Sequence, residues 1–225
     1  GYTLSNLNIP MNKKKWEINS AKSPVRIKTS YEIIIDAPIG AARYNNEFGR
    51  PNIFGYFRTF EQEIDKKPSS VKLGYHKPIM IAGGIGSINH KFTSKNKLHN
   101  GDLIVILGGP SFRIGIGGGA ASSMQSGTSS EKLDFASVQR DNAEIQRRCQ
   151  EVINACTYLK DNPIVSIHDI GAGGLCNAVP EIVNDFVMGA DISLDKVMNA
   201  ELCMSSLEIW CNESQERYVI IIKEN

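Results

Sequence analysis

Residues 164–175, IVSIHDIGAGGL, pass from a β-branched apolar run through His168-Asp169 into the glycine turn 171–174. The run at 164–167 predicts a strand. The spacing of Leu175, Val179, Ile182, Val183 and Phe186 predicts a helix over about 175–188 with one apolar face. Pro180 falls in its first turns, where a missing N–H costs least. Upstream, Asp141 and Glu144 have the spacing of a capping box. Ile145, Cys149, Val152, Cys156 and Leu159 then recur at three- and four-residue steps, predicting a helix over about 142–160 that Asn162-Pro163 stops. Residues 101–107 predict a further strand. Two closing strands, near 207–211 and 217–223, are expected to flank the polar residues 212–216.

The N-terminal part is less regular. Residues 31–36, YEIIID, predict a strand, and 78–85 a second one entering glycines. Residues 40–59 read as an ordered loop and 61–74 as a solvated excursion. The basic, polar stretch 90–100 marks a boundary or a long hairpin. Strands and helices in this order, without an internal repeat, predict a mixed α+β or α/β chain. The length allows one large domain or two smaller ones.

Composition narrows the classes. The 225 residues carry 25 Lys+Arg against 24 Asp+Glu and are 41% hydrophobic. That is too apolar and too neutral for a disordered chain. A partner bound through phosphate neutralisation, as nucleic acid is, normally demands a basic excess. No apolar run approaches the ~20 residues that span a bilayer, and no signal peptide is visible. The five cysteines are odd in number and lack CxxC spacing. Buried thiols in a reducing, cytoplasmic compartment are the expectation, and zinc is not. The chain opens on Gly-Tyr-Thr and stops just after a strand-like run, so a fragment of something longer is expected.

Four places could carry chemistry. Asp169, at the C-terminal end of its strand, is placed to hold Mg²⁺, and the glycines after it let backbone N–H groups face an anion. Alternatively, Asp169 caps the helix and the glycines only turn the chain. His168 fits a packed, hydrogen-bonded imidazole as well as a catalyst. Residues 115–120, GIGGGA, suggest a dinucleotide loop, but the flanking strand and helix are poor and no Gly-Lys-Ser/Thr follows. Residues 44–58, YNNEFGRPNIFGYFR, hold the ingredients of a nucleotide pocket, or of a loop whose aromatics plug a core. Residues 212–216, NESQE, fit a plain β-turn or a grip on a ribose or amide, and Gln139 shares that ambiguity.

Together, NNEFGRP (45–51), GYFRT (55–59), GYHKPIMIAGGIG (74–86), GGGAASSM (117–124), LDFASVQRDN (133–142), HDIGAGGL (168–175) and LEIWCNESQERY (207–218) resemble phosphoribosylformylglycinamidine synthase. They run in family order over nearly the whole chain and look most like the long single-chain bacterial form. The resemblance implies an aminoimidazole ribonucleotide synthetase-like fold. Residues 1–99 would be the later part of an ATP-binding domain, and 100–225 most of the α/β domain that follows it.

The family phosphorylates the amide oxygen of formylglycinamide ribonucleotide (FGAR) with ATP, and ammonia from glutamine then displaces phosphate. The resemblance therefore implies ATP and Mg²⁺ as cofactors and FGAR as substrate. It implies Asp169 as the Mg²⁺ ligand, Gln139, Glu213, Ser214 and Gln215 as the FGAR grip, and Phe54, Gly55 and Tyr56 against ATP. Gly117, Gly118 and Gly119 would lie near substrate phosphate at the domain interface. The family's upstream histidine motif, glycine-rich ATP segment, second synthetase repeat and glutaminase domain have no counterpart in these residues. Those segments are expected as partners, and no cysteine here corresponds to the glutaminase nucleophile. Cys176 and Cys203, which depart from the family pattern, read as packing changes. Two further readings stand beside the ligase: a nucleotide-binding scaffold half without catalysis, and an NAD-dependent oxidoreductase built on residues 115–120.

Overall fold

The computed structural model describes residues 1–17, 25, 27–66, 69–116 and 142–224. They fall into two compact units, one of residues 1–86 and one beginning at Ser87. Compactness thus changes thirteen residues before the division expected at 99/100. The reason is packing: Leu98 is buried in the second unit's core, Asn96 donates its N–H to Val165 O, and Lys95 pairs with Asp185 at 2.6 Å. The stretch 90–100 is no hairpin; it holds one 3₁₀ turn, His90–Phe92.

In the first unit β1 (Tyr2–Leu4) lies between β2 (Phe57–Thr59), which is parallel to it, and the antiparallel β5 (Ile79–Met80). β3 (Glu61–Lys66) and β4 (Ser69–Gly74) pair antiparallel, so the described residues of the polar excursion at 61–74 are strand. The strand expected at 78–85 shrinks to two residues.

The strand expected at 31–36 is helix. α1 runs over Ser30–Phe48, and it also takes the first half of the loop expected at 40–59. Three consecutive isoleucines favour a strand, but a capping box overrides them. Thr29 Oγ1 accepts the N–H of Glu32 at 3.2 Å, and the Glu32 carboxylate accepts the N–H of Thr29 at 2.8 Å. Gly49 ends the helix in the left-handed conformation.

The second unit is built on a three-stranded antiparallel sheet, order β6–β8–β7, from β6 (Leu103–Gly108), β7 (Ile164–Asp169) and β8 (Arg217–Ile222). The central strand, RYVIII, is the most apolar and the most buried, as a strand hydrogen-bonded on both edges and covered by helix should be. α2 (Ala143–Tyr158) contacts β6, while α3 (Leu175–Asn184) packs on β7 and β8. Leu175, Ala178, Val179, Ile182 and Val183 of α3 join Val165, Val219 and Ile221 in the core.

Other boundaries move for local reasons. Asn142, not Asp141, caps α2, its Oδ1 accepting the Ile145 N–H at 3.1 Å; Asp141 lies outside the described residues. Of the α2 stripe only Cys149 is buried, and Val152 and Leu159 are exposed. α3 ends at Asn184, four residues early, and Pro180 is its sixth residue. The strand expected at 207–211 is α4 (Ser206–Cys211), because Ser205 and Glu208 make a second capping box across S-x-x-E. No helix among the described residues is long and apolar enough to cross a membrane. The thiols are all free. Only Cys149 is buried, three are half-buried and Cys203 is exposed, so burial does not account for all five.

Candidate functional site

α4 ends at Cys211 and β8 begins at Arg217, so residues 212–216 connect a helix to the central strand and are not a turn between two strands. Three of the five are inside the protein: Asn212, Glu213 and Ser214 are 0%, 7% and 1% exposed. The side chain that holds them is Arg217, 2% exposed. Its Nε donates to Ser214 O at 2.9 Å and its Nη1 to Ser111 Oγ at 2.9 Å. Nη2 donates to Asn212 O at 3.1 Å and to Asn212 Oδ1 at 2.8 Å. Burial lowers the guanidinium to about 10, against which the nearby Glu216 pulls upward. That value is still far above neutrality, so all four bonds are charge-assisted. Asn212 extends the lattice, its Nδ2 donating to Glu208 O and Ile209 O and its Oδ1 accepting from the Ser214 hydroxyl at 2.7 Å.

Residues 111–115 run along this connection. Ser214 Oγ accepts the Phe112 N–H at 2.9 Å, and the Glu213 N–H goes to Ile114 O at 2.9 Å. Gly115 follows at φ +66°, where a Cβ would sit 2.3 Å from Glu213 Cβ and 2.6 Å from Oε2. The described part of this segment thus passes directly over the Glu213 side chain. Gly117, Gly118, Gly119 and Gln139 themselves lie outside the described residues.

The third component is the turn after β7. Asp169, paired with Tyr218 across the sheet, is the last residue of the strand, and its side chain is 77% exposed. It does not cap α3: the N-cap is Gly174, and no side chain bonds there. The anion that the glycine turn receives is the chain's own, since Glu213 Oε1 accepts the Gly173 N–H at 2.8 Å. Gly174 stands at φ 64° and ψ −146°, a region essentially confined to glycine. A Cβ there would lie 2.1 Å from Asn212 O. Gly174→Ala is therefore expected to cost about 3 kcal/mol or more through strain and overlap together, measured as a lowered midpoint of denaturant unfolding. His168 is a positioned imidazole, its Nδ1 2.6 Å from Asp169 O and its Nε2 3.2 Å from Glu181 Oε2.

The predicted residues divide accordingly. Asp169, Glu213, Ser214 and Gln215 belong to turns that the fold joins through the Gly173–Glu213 bond. The Ser214 hydroxyl and one Glu213 oxygen already serve that junction, whereas Gln215 is exposed. Phe54, Gly55 and Tyr56 lie in the first unit, between α1 and β2. Phe54 is 81% exposed, Tyr56 is 44% exposed, and open space surrounds the Gly55 Cβ position. Arg217 and Ser111 had no expected role, and Asn212 only that of one polar residue in the 212–216 turn; an arginine opening an otherwise apolar strand is the available signal.

Among the described residues no three His, Cys, Asp or Glu side chains gather as a metal cage. The Asp169 carboxylate is 77% exposed, and since Mg²⁺ commonly takes only one or two protein carboxylates, its exposure is compatible with such an ion.

The fold defines a class: an α+β domain with helices packed on a three-stranded antiparallel sheet. Residues 99–225, more than half of the chain, match the family model described as AIR synthase related protein, C-terminal domain, and the chain belongs to that family. Among solved structures it is similar to Thermotoga maritima PurL complexed with FGAR, with a TM-score of 0.56 at 24% identity, covering 84% of this chain and 29% of that one. It is also similar to phosphoribosylformylglycinamidine synthase II of the same organism (TM-score 0.51, 22% identity, 84% and 28% covered). A third is PurLQS from T. maritima (TM-score 0.52, 20% identity, 99% and 29% covered). The chain spans less than a third of each of these chains. The likeness is one of fold.

Proposed function

We propose that this chain is part of the ATP-dependent carbon–nitrogen ligase that converts FGAR, glutamine and ATP to formylglycinamidine ribonucleotide in purine synthesis. The observation that carries this reading is the hydrogen bond from Gly173 N to Glu213 Oε1, which fastens the 212–216 connection to the turn behind Asp169. Phosphoryl transfer asks a protein chiefly for positioning and charge compensation. Residues 1–99 are read as the later part of the ATP-binding domain, with Phe54, Gly55 and Tyr56 against ATP. Residues 100–225 are read as the domain that holds FGAR through Gln139, Glu213, Ser214 and Gln215, with Gly117–Gly119 toward its phosphate.

Asp169 would hold Mg²⁺, which when bound neutralises charge on the transferring phosphate. Its exposure leaves the carboxylate open to a shared ion. Ammonia comes from glutamine through segments of the enzyme outside these residues, and the setting is cytoplasmic. Of the loop on which the dinucleotide reading rests, only Gly115 and Ile116 are among the described residues, and at Gly115 the Cβ position is taken by Glu213.

The test is FGAR affinity by calorimetry on the intact protein. Gln215→Ala removes an exposed amide and should weaken FGAR binding about tenfold, the worth of one good hydrogen bond. Unaltered FGAR affinity would remove the 213–215 segment from the substrate site.

A further inference from the structure

Two of the five cysteines meet beside the Gly173–Glu213 junction. Cys176 is the second residue of α3 and Cys211 the last of α4, and these helices pack together. The Cys211 carbonyl carbon lies 3.1 Å from the Cβ position of Gly174. The Cys176 thiol folds back to donate to Gly173 O at 2.8 Å, onto the same glycine turn that the Cys211 backbone abuts. Both residues are half-buried, within reach of a small reagent. From this juxtaposition we infer that Cys176 and Cys211 form a dithiol that low-molecular-weight disulfides convert reversibly into an intramolecular disulfide. Burial pushes the Cys176 thiol up, and the adjacent Cys211 adds to this, so Cys176 is the poorer first nucleophile.

The chemistry balances with oxidised glutathione as the oxidant. The Cys211 thiolate attacks one glutathione sulfur, breaking the glutathione S–S bond and releasing one reduced glutathione. Cys176 then gives up its proton and attacks the Cys211 sulfur of the mixed disulfide, expelling the second. Two protein thiols are oxidised, one glutathione disulfide is reduced, and the two protons leave on the glutathione thiols. To close the bond, Cys176 must abandon Gly173 O. The junction that presents Glu213 is therefore altered by the state of the two sulfurs. The pairing itself is independent of the proposed ligase activity; only the effect on turnover rests on that reading.

The experiment incubates the intact protein with oxidised glutathione and maps its peptides without reduction. A crosslinked peptide pair containing Cys176 and Cys211, two hydrogens lighter than the thiols and absent from Cys176→Ser, is the expected result. Glutathione confined to exposed Cys203, with 176 and 211 recovered as thiols, would overturn the pairing. FGAR turnover should fall at least threefold on oxidation and recover with dithiothreitol in the wild type, and stay constant in Cys176→Ser. Disulfide formation with constant turnover would overturn the control of activity while leaving the pair in place. If no FGAR turnover is found before oxidation, the ligase reading fails separately from the pairing, which the peptide map still decides.

Discussion

Asp169→Asn in the intact protein is expected to lower FGAR turnover about a hundredfold or more, as removal of a metal-holding carboxylate from a phosphoryl-transfer site does. Thermal stability should barely move. The Asp169 side chain is 77% exposed, it caps no helix, and the amide is nearly isosteric, so the change belongs among surface substitutions worth within about 0.5 kcal/mol. The loss should be partly reversed by raising magnesium, because one ligand of a shared ion is weakened and not the phosphate contacts. Unchanged turnover would point instead to a half that binds nucleotide without catalysis. A fall in melting temperature alone would say the same.

The second large effect concerns Arg217. Arg217→Ala is expected to destabilise the protein by about 3–5 kcal/mol, the range for removing one partner from a buried charged network. It strips four hydrogen bonds at once. The buried Ser214 and Asn212 carbonyls and the Ser111 hydroxyl lose the guanidinium, while Asn212 Oδ1 keeps only the Ser214 donors. Arg217→Lys should recover little, because an ammonium cannot span three residues with a planar fork. Denaturant unfolding measures the loss, and hydrogen exchange locates it. The Phe112 and Glu213 amides, bonded to Ser214 Oγ and Ile114 O, should exchange faster in the variant. A cost below about 0.5 kcal/mol would mean that the connection is held by its backbone alone.

The second unit was legible in the sequence where one physical signal dominated. β6, β7 and β8 are apolar runs bounded by turn residues, and α2 and α3 have a clear helical period. The errors fell where two signals competed. At 31–36 three isoleucines outvoted Thr29 and Glu32. At 207–211 the apolar Leu207, Ile209, Trp210 and Cys211 outvoted Ser205 and Glu208. In both places the helix follows the reciprocal capping bonds. The site was half legible. Polarity marked Asp169 and residues 212–216 as unusual, but it gave no indication that Asn212, Glu213 and Ser214 turn inward. That depends on Arg217 and Ser111, separated by more than a hundred positions, and on a Gly174 conformation that nothing local announces.

Because β8 is the middle strand yet follows both of its neighbours in the chain, the sheet cannot be assembled in the order of translation. β6 and β7 leave the ribosome with an empty slot between them and must wait for residues 217–222. Arg217 arrives with that strand, so the scaffold and the Glu213 junction are completed in a single late event. Nascent chains arrested before it would expose unpaired apolar edges, making them clients for chaperones.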